Sequence, residues 1–213
     1  MKKVYIYKAF ERFWHWTQAI LILFLAFTGF EVHGSYSFFG YENAVMYHRY
    51  AGWALLALIF LTFFWHIAVG EWRQYVPTIK NMKAQIDYYL LGIFKNAPHP
   101  VKKTVLSKLN PLQKITYFML MVVIIPFMIF TGLLYMYYRV PQAVTVNPLH
   151  VKSLETIALI HTAGAYFLVI FVIGHLYLIT TGHTVLTNLK AMITGWEEIE
   201  DDEETEETNN NLG

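Results

Sequence analysis

The run from Thr156 to Thr180 most narrows what this chain can be. Almost every residue of TIALIHTAGAYFLVIFVIGHLYLIT is apolar or small, and a run of that length crosses the hydrocarbon core of a bilayer. His161 and His175 interrupt it. Their 14-residue spacing is about 21 Å of helix rise and about four turns, so both rings leave one face. An ionisable group inside a membrane span is costly and marks a functional site by default. Two on one face, one toward each side of the membrane, predict two stacked sites for something that binds imidazole.

Composition agrees with a membrane protein. Of the 213 residues, 56% are hydrophobic and only 15% charged, a share beyond that of ordinary soluble domains. The net charge of +1 hides an asymmetry. Nine of the 15 acidic residues follow Trp196, which leaves six acidic against 16 basic residues before it. Cysteine is absent, which excludes disulfides, thiolate-ligated iron–sulfur clusters and thioether-attached haem. The N-terminus does not read as a cleavable signal, because its apolar segment is too long and follows a charged stretch.

Hydropathy divides the chain into four spans, about 13–32, 45–69, 115–138 and 156–180. The expected fold is an all-α, integral-membrane four-helix bundle. The first span carries His15, Thr17, Gln18 and Thr28 among apolar residues. Residues 78–94 have helical periodicity and mixed polarity, predicting an amphipathic helix on the cytoplasmic membrane surface. Pro126 predicts a kink in the third span. The acidic tail, 197–213, cannot bury an apolar face and is expected to be disordered. No internal repeat is strong enough to claim. Lys and Arg concentrate before the first span (Lys2, Lys3, Lys8, Arg12) and in the long loop (Arg73, Lys80, Lys83, Lys95, Lys102, Lys103, Lys108, with Lys114 at its end). That bias puts both termini and the long loop in the cytoplasm.

Orientation gives each histidine a depth. His48 and His161 fall near the outer surface, His15 and His175 near the inner one. Two imidazoles facing each other at one depth are what a bis-histidine haem requires. His66, five turns after His48 on the same face, shares the depth of His15 and can replace it on spacing alone. Gly52 and Gly164 lie close after outer histidines, where a missing side chain admits a macrocycle. Arg49, Arg139 and Lys152 outside, with Arg12 and Arg73 inside, suit haem propionates or are ordinary flanking charge. His33, His99, His150 and His183 read as surface residues. Zinc would gather three or four ligands at one depth, and a proton relay would need buried carboxylates beside the histidines. Asn110 and Pro111 also read as a helix cap and first helical position.

With these residues in place, the chain resembles the two-haem cytochrome b subunits of nickel–iron hydrogenases, formate dehydrogenases (gamma subunit) and thiosulfate-type reductases. RFWHWTQAILILFLAFTGF is similar to the family's first span, YHRYAGW to its second-span entry and IHTAGAYFLVIFVIGHLY to its paired-histidine helix. The resemblance covers the chain up to Trp196 and favours His15 over His66. It implies two haems b, ligated by His48 with His161 and by His15 with His175. LNPLQK resembles a segment beside a quinone pocket, which makes Asn110, Gln113 and Lys114 quinone candidates; the cap reading stands equally. The implied partners are a catalytic subunit and an iron–sulfur subunit at the outer face, membrane lipid, and menaquinone or ubiquinone. No nucleic-acid partner is expected, and the compartment is the prokaryotic inner membrane. The rival readings are a standalone quinol oxidase with a small acceptor and a non-redox scaffold or transporter.

Overall fold

The computed structural model describes residues 2–95, 97, 100–101, 108–138, 154–182 and 184–199. His99, Lys102, Lys103, Arg139, His150, Lys152, His183 and the acidic tail from Glu200 onward lie outside the described residues. The elements run β1 (Lys2–Tyr5), α1 (Ala9–Val32), α2 (Tyr41–Val69), α3 (Met82–Asp87), α4 (Pro111–Met119), α5 (Ile125–Tyr138), α6 (Leu154–Ile179), α7 (Thr187–Thr194) and β2 (Trp196–Ile199). The protein is an all-α membrane protein with four helices long and apolar enough to span: Ala9–Val32, Tyr41–Val69, Pro111–Met136 and Leu154–Ile179. At most 17% of each span's apolar window is buried within the protein. Their hydrophobic surface therefore faces outward, as lipid demands and water does not tolerate over such an area.

The chain divides into two compact units. One combines the N-terminal segment to His15, Glu71–Thr116 and the segment from Leu176 onward. Here β1 and β2 pair antiparallel, with Lys3 opposite Glu198 and Tyr5 opposite Trp196. This corrects the expected start of the disordered tail. Glu197, Glu198 and Ile199 belong to a strand, because Lys3 sets a cation across from Glu198 and the ladder satisfies the backbone. Gly195 ends α7 at φ +86°, where an added Cβ would stand 2.7 Å from the Tyr7 carbonyl. Its own carbonyl accepts from the N–H groups of Ile6 and Tyr7 at 2.8 and 3.2 Å.

The same unit buries charge. The Lys108 ammonium, almost fully buried, donates to Glu11 at 2.6 Å and stands 3.6 Å from Glu71. Lys8 reaches Glu71 at 2.7 Å. Glu11 also accepts from the Lys8 backbone N–H at 2.7 Å, the reach-back half of a capping box at the start of α1. A 3-10 turn covers Glu71–Tyr75, and the helix expected over 78–94 begins at Met82. It continues through a π turn at Tyr88–Gly92 to Lys95, leaving Leu90, Leu91 and Phe94 exposed.

The other unit comprises Trp16–Gly70 and Tyr117–His175. The buried residues of α2 are Ala44, Ala51, Leu58, Thr62 and His66, a single stripe at seven- and four-residue steps. Glu31, an acid at the end of the first span that the sequence reading passes over, is buried. Its Oε1 accepts from the N–H groups of Phe38, Phe39 and Gly40 at 2.6, 2.7 and 2.8 Å, anchoring the connection into α2. The effect of Pro126 takes a specific form. Proline cannot donate to the carbonyl four residues back, and the preceding residues Leu120–Ile124 open into a π turn in which Ile125 N–H bonds to Leu120 O.

Candidate functional site

Within this second unit, α2 and α6 bring His48 and His161 together. Their ring centroids are 6.3 Å apart and their planes 83° apart. Two metal–imidazole bonds of about 2.0 Å in line, plus the reach from each nitrogen to its ring centre, span a distance of this size.

Each ring is held in the same way. Thr28, on α1, has its Oγ1 2.8 Å from the Phe24 carbonyl and 3.0 Å from His48 Nδ1. Thr131, on α5, has its Oγ1 2.8 Å from the Phe127 carbonyl and 2.8 Å from His161 Nδ1. A carbonyl can only accept, so the one hydroxyl proton goes to it, and the imidazole Nδ1–H donates to the hydroxyl oxygen. This network assigns the proton to Nδ1 and the lone pair to Nε2 in both rings. A glycine follows each threonine. A Cβ at Gly29 would stand 3.1 Å from His48 Cε1, and one at Gly132 would stand 3.2 Å from His161 Cε1. The Phe-Thr-Gly triplet at 27–29 thus recurs at 130–132, its threonine holding a ring and its glycine making room for it. Sequence reading missed these four residues, although the repeated triplet on two spans was the available signal.

The other candidates divide. Gly52 lies one turn after His48, and a Cβ there would meet nothing within 4 Å beyond its chain neighbours and own helix backbone, which fits a cradle for a flat group. At Gly164 a Cβ would fall 2.5 Å from Met128 Sδ and 3.0 Å from Phe127, so its small size lets α6 approach α5. Arg49 is exposed and lies over the Tyr50 ring at 5.5 Å. His66 is buried, and its Nδ1 donates to the Thr62 carbonyl at 2.8 Å, again leaving the lone pair on Nε2. His175 stacks on Phe171 at 5.8 Å and 13°. His33 is exposed.

In the first unit, His15 meets Trp14 edge-on at 6.2 Å, and Arg12 donates to the Ile193 carbonyl at 2.6 Å. Asn110 and Gln113 form a reciprocal capping box at the start of α4. Gln113 N–H donates to Asn110 Oδ1 at 2.9 Å, and Asn110 N–H to Gln113 Oε1 at 3.0 Å. Asn110 Nδ2 also donates to Tyr89 at 2.9 Å. A quinone at these two residues would compete with bonds that hold the helix end. Lys114 contributes its backbone N–H to the Asn110 carbonyl in the same turn. No group of three or more metal-ligating side chains occurs among the described residues, so a two-histidine site suits a metal whose other ligands come with a macrocycle.

"Putative cytochrome YdhU" of Escherichia coli (strain K12) is 34% identical over 205 residues, covering 92% of this chain and 75% of that protein. The family described as prokaryotic cytochrome b561 matches residues 6–195. The chain belongs to the prokaryotic cytochrome b561 family, the haem b-binding electron-transfer proteins of the membrane.

Proposed function

We propose that this protein holds two haems b and links a partner oxidoreductase at the outer face to the membrane quinone pool. The outer pair is His48 with His161 and the inner pair His15 with His175. The observation that carries the reading is the matched presentation of His48 and His161, facing at 6.3 Å with each Nδ1 on a threonine. Bound haem supplies a one-electron iron couple within a span that offers no other redox group. The residues supply ligation, orientation and exclusion of water. Nε2 of each ring would hold the metal, and the threonine bond at Nδ1 fixes the ring's rotation.

The inner pair rests on depth and on the 14-residue interval between His161 and His175. A specific observation favours His66 as an alternative to His15, since its buried Nδ1–H is spent on Thr62. An iron–sulfur subunit and a catalytic subunit are the proposed outer partners, and menaquinone or ubiquinone the inner one. Both termini are proposed to be cytoplasmic. The pairing of β1 with β2 supports one side for both, because an even number of crossings returns the chain to its starting side, and the Lys and Arg bias favours the cytoplasm as that side.

The test is the haem content of membranes carrying single substitutions. Wild type should show a b-type reduced-minus-oxidised spectrum with two haems per chain. His161→Ala should remove the outer haem and His15→Ala the inner one. A colourless wild type grown with ample haem would overturn the reading. Retention of both haems in His15→Ala with loss in His66→Ala would transfer the inner ligand to His66.

A further inference from the structure

We infer that Thr28 and Thr131 are positioning residues that set the reduction potential of the outer centre. This rests on the proposed haem between His48 and His161. Thr28 Oγ1 lies 2.8 Å from the Phe24 carbonyl with a second carbonyl, Leu25, at 3.3 Å. Thr131 Oγ1 lies 2.8 Å from Phe127 O and 3.3 Å from Met128 O. In each case the proton is drawn into the helix's own backbone. The oxygen is then polarised toward negative charge and becomes a stronger acceptor for the imidazole N–H. An acceptor on Nδ1–H raises the basicity of Nε2. A more basic axial ligand favours the higher charge on the metal, so each threonine pulls the potential of its centre down.

The duplication is the second support. The two threonines sit on different helices, α1 and α5, and address ligands on two others, α2 and α6. Each is followed by a glycine whose hydrogen allows the ring to sit against the backbone. A threonine that merely filled space would have no reason to recur with its glycine on both sides of one histidine pair. The same bond also fixes the tautomer. Without it, a neutral imidazole can place its proton on Nε2 and lose the lone pair that ligates.

The experiment is a potentiometric titration of the purified holoprotein followed at its b-type absorbance, with haem stoichiometry measured alongside. Thr28→Val and Thr131→Val keep the shape and remove the oxygen; Thr28→Ser and Thr131→Ser keep the oxygen and remove the methyl. Each valine variant should raise the outer midpoint so that the reduced-to-oxidised ratio at a fixed ambient potential increases about tenfold, 59 mV for one electron. The double valine variant should shift it further, the serine variants should stay near wild type, and the inner couple should not move. Loss of the outer haem in a valine variant but not in its serine counterpart also supports the inference. Unchanged potentials in fully loaded valine variants overturn it, as does an equal shift or equal haem loss in serine and valine, which would mark a packing role. A wild type with only one couple, unaffected by His161→Ala, would instead overturn the outer site on which the inference depends.

Discussion

At the scale of the residue, the site depends on what is left out as much as on what is present. The hydrogens of Gly29 and Gly132 face imidazole carbons that would lie 3.1 and 3.2 Å from a Cβ. A valine at Gly132 would force His161 off its rotamer or move α5, an overpacking cost of about 1–3 kcal/mol. Gly132→Val should therefore lower haem retention at the outer pair, read from haem content after gel filtration in detergent. Undiminished content would show that the ring can yield. The histidines themselves were legible in the sequence because a membrane makes any ionisable side chain conspicuous. Thr28 and Thr131 were not, since a threonine bonding back to its own helix is common in membrane spans and only its contact with a second helix gives it meaning. Asn110 and Gln113 were ambiguous for a related reason. The side chains that cap a helix are those that can also hold a carbonyl ligand, and in the structure they make the cap.

At the scale of the element, the four spans were readable because bilayer thickness dictates length and composition together. Their buried stripes were not. The inward face of α2 needs a neighbour to define it, and its most buried polar residues, Thr62 and His66, look ordinary in an apolar run. Charge in the flanking segments was legible only as a count. Lys108 reads as one more cytoplasmic cation, yet it lies buried between Glu11 and Glu71. Removing one partner of a buried pair strands the other, at about 3–5 kcal/mol. Lys108→Met should sharply lower the thermal midpoint in detergent, and adding Glu11→Gln should recover part of the loss. A midpoint equal to wild type in the single variant would refute the buried network. The pH dependence has a definite sign. Burial pushes the Glu71 carboxyl up, but the Lys8 bond, the nearby Lys108 charge and the Gln74 bond together outweigh it and hold the group below its ordinary value of 4.5. A carboxyl lowered in the folded state contributes stability that is complete above the unfolded value and is lost as pH falls through the folded one. Thermal midpoints should accordingly drop on acidification below about pH 4.5, and Glu71→Gln should flatten that drop.

At the scale of the whole molecule, the first and last described strands pair. Residues 2–5 and 196–199 form one ribbon, and four helices long and apolar enough to span lie between them. Reporters fused at either end should behave alike: active if they mature in the cytoplasm and silent if they require export. An exported reporter active at the C-terminus would invert the topology. The sequence carried the parity of the spans and the bias of Lys and Arg, but not the ribbon. A run of acids has no structure until its basic partner arrives from the far end of the chain. The described part of the tail is ordered because of what it meets, not because of its own propensity.

The π turn at Leu120–Ile124 has a consequence for how the third span tolerates change. A wide turn absorbs one residue more than ordinary winding needs, so a helical wheel drawn straight through it is out of phase by about 100° for every later position. Thr131 and Gly132 meet His161 only because that phase slip is present. The span therefore carries a built-in spare residue. Deleting one position within 120–124 should close the wide turn and leave Thr131 aligned, whereas deleting one between Pro126 and Phe130 should swing it away from His161. The two deletions remove the same mass from the same span. Only the second should cost the outer haem, and the comparison can be made in whole membranes from the b-type spectrum alone.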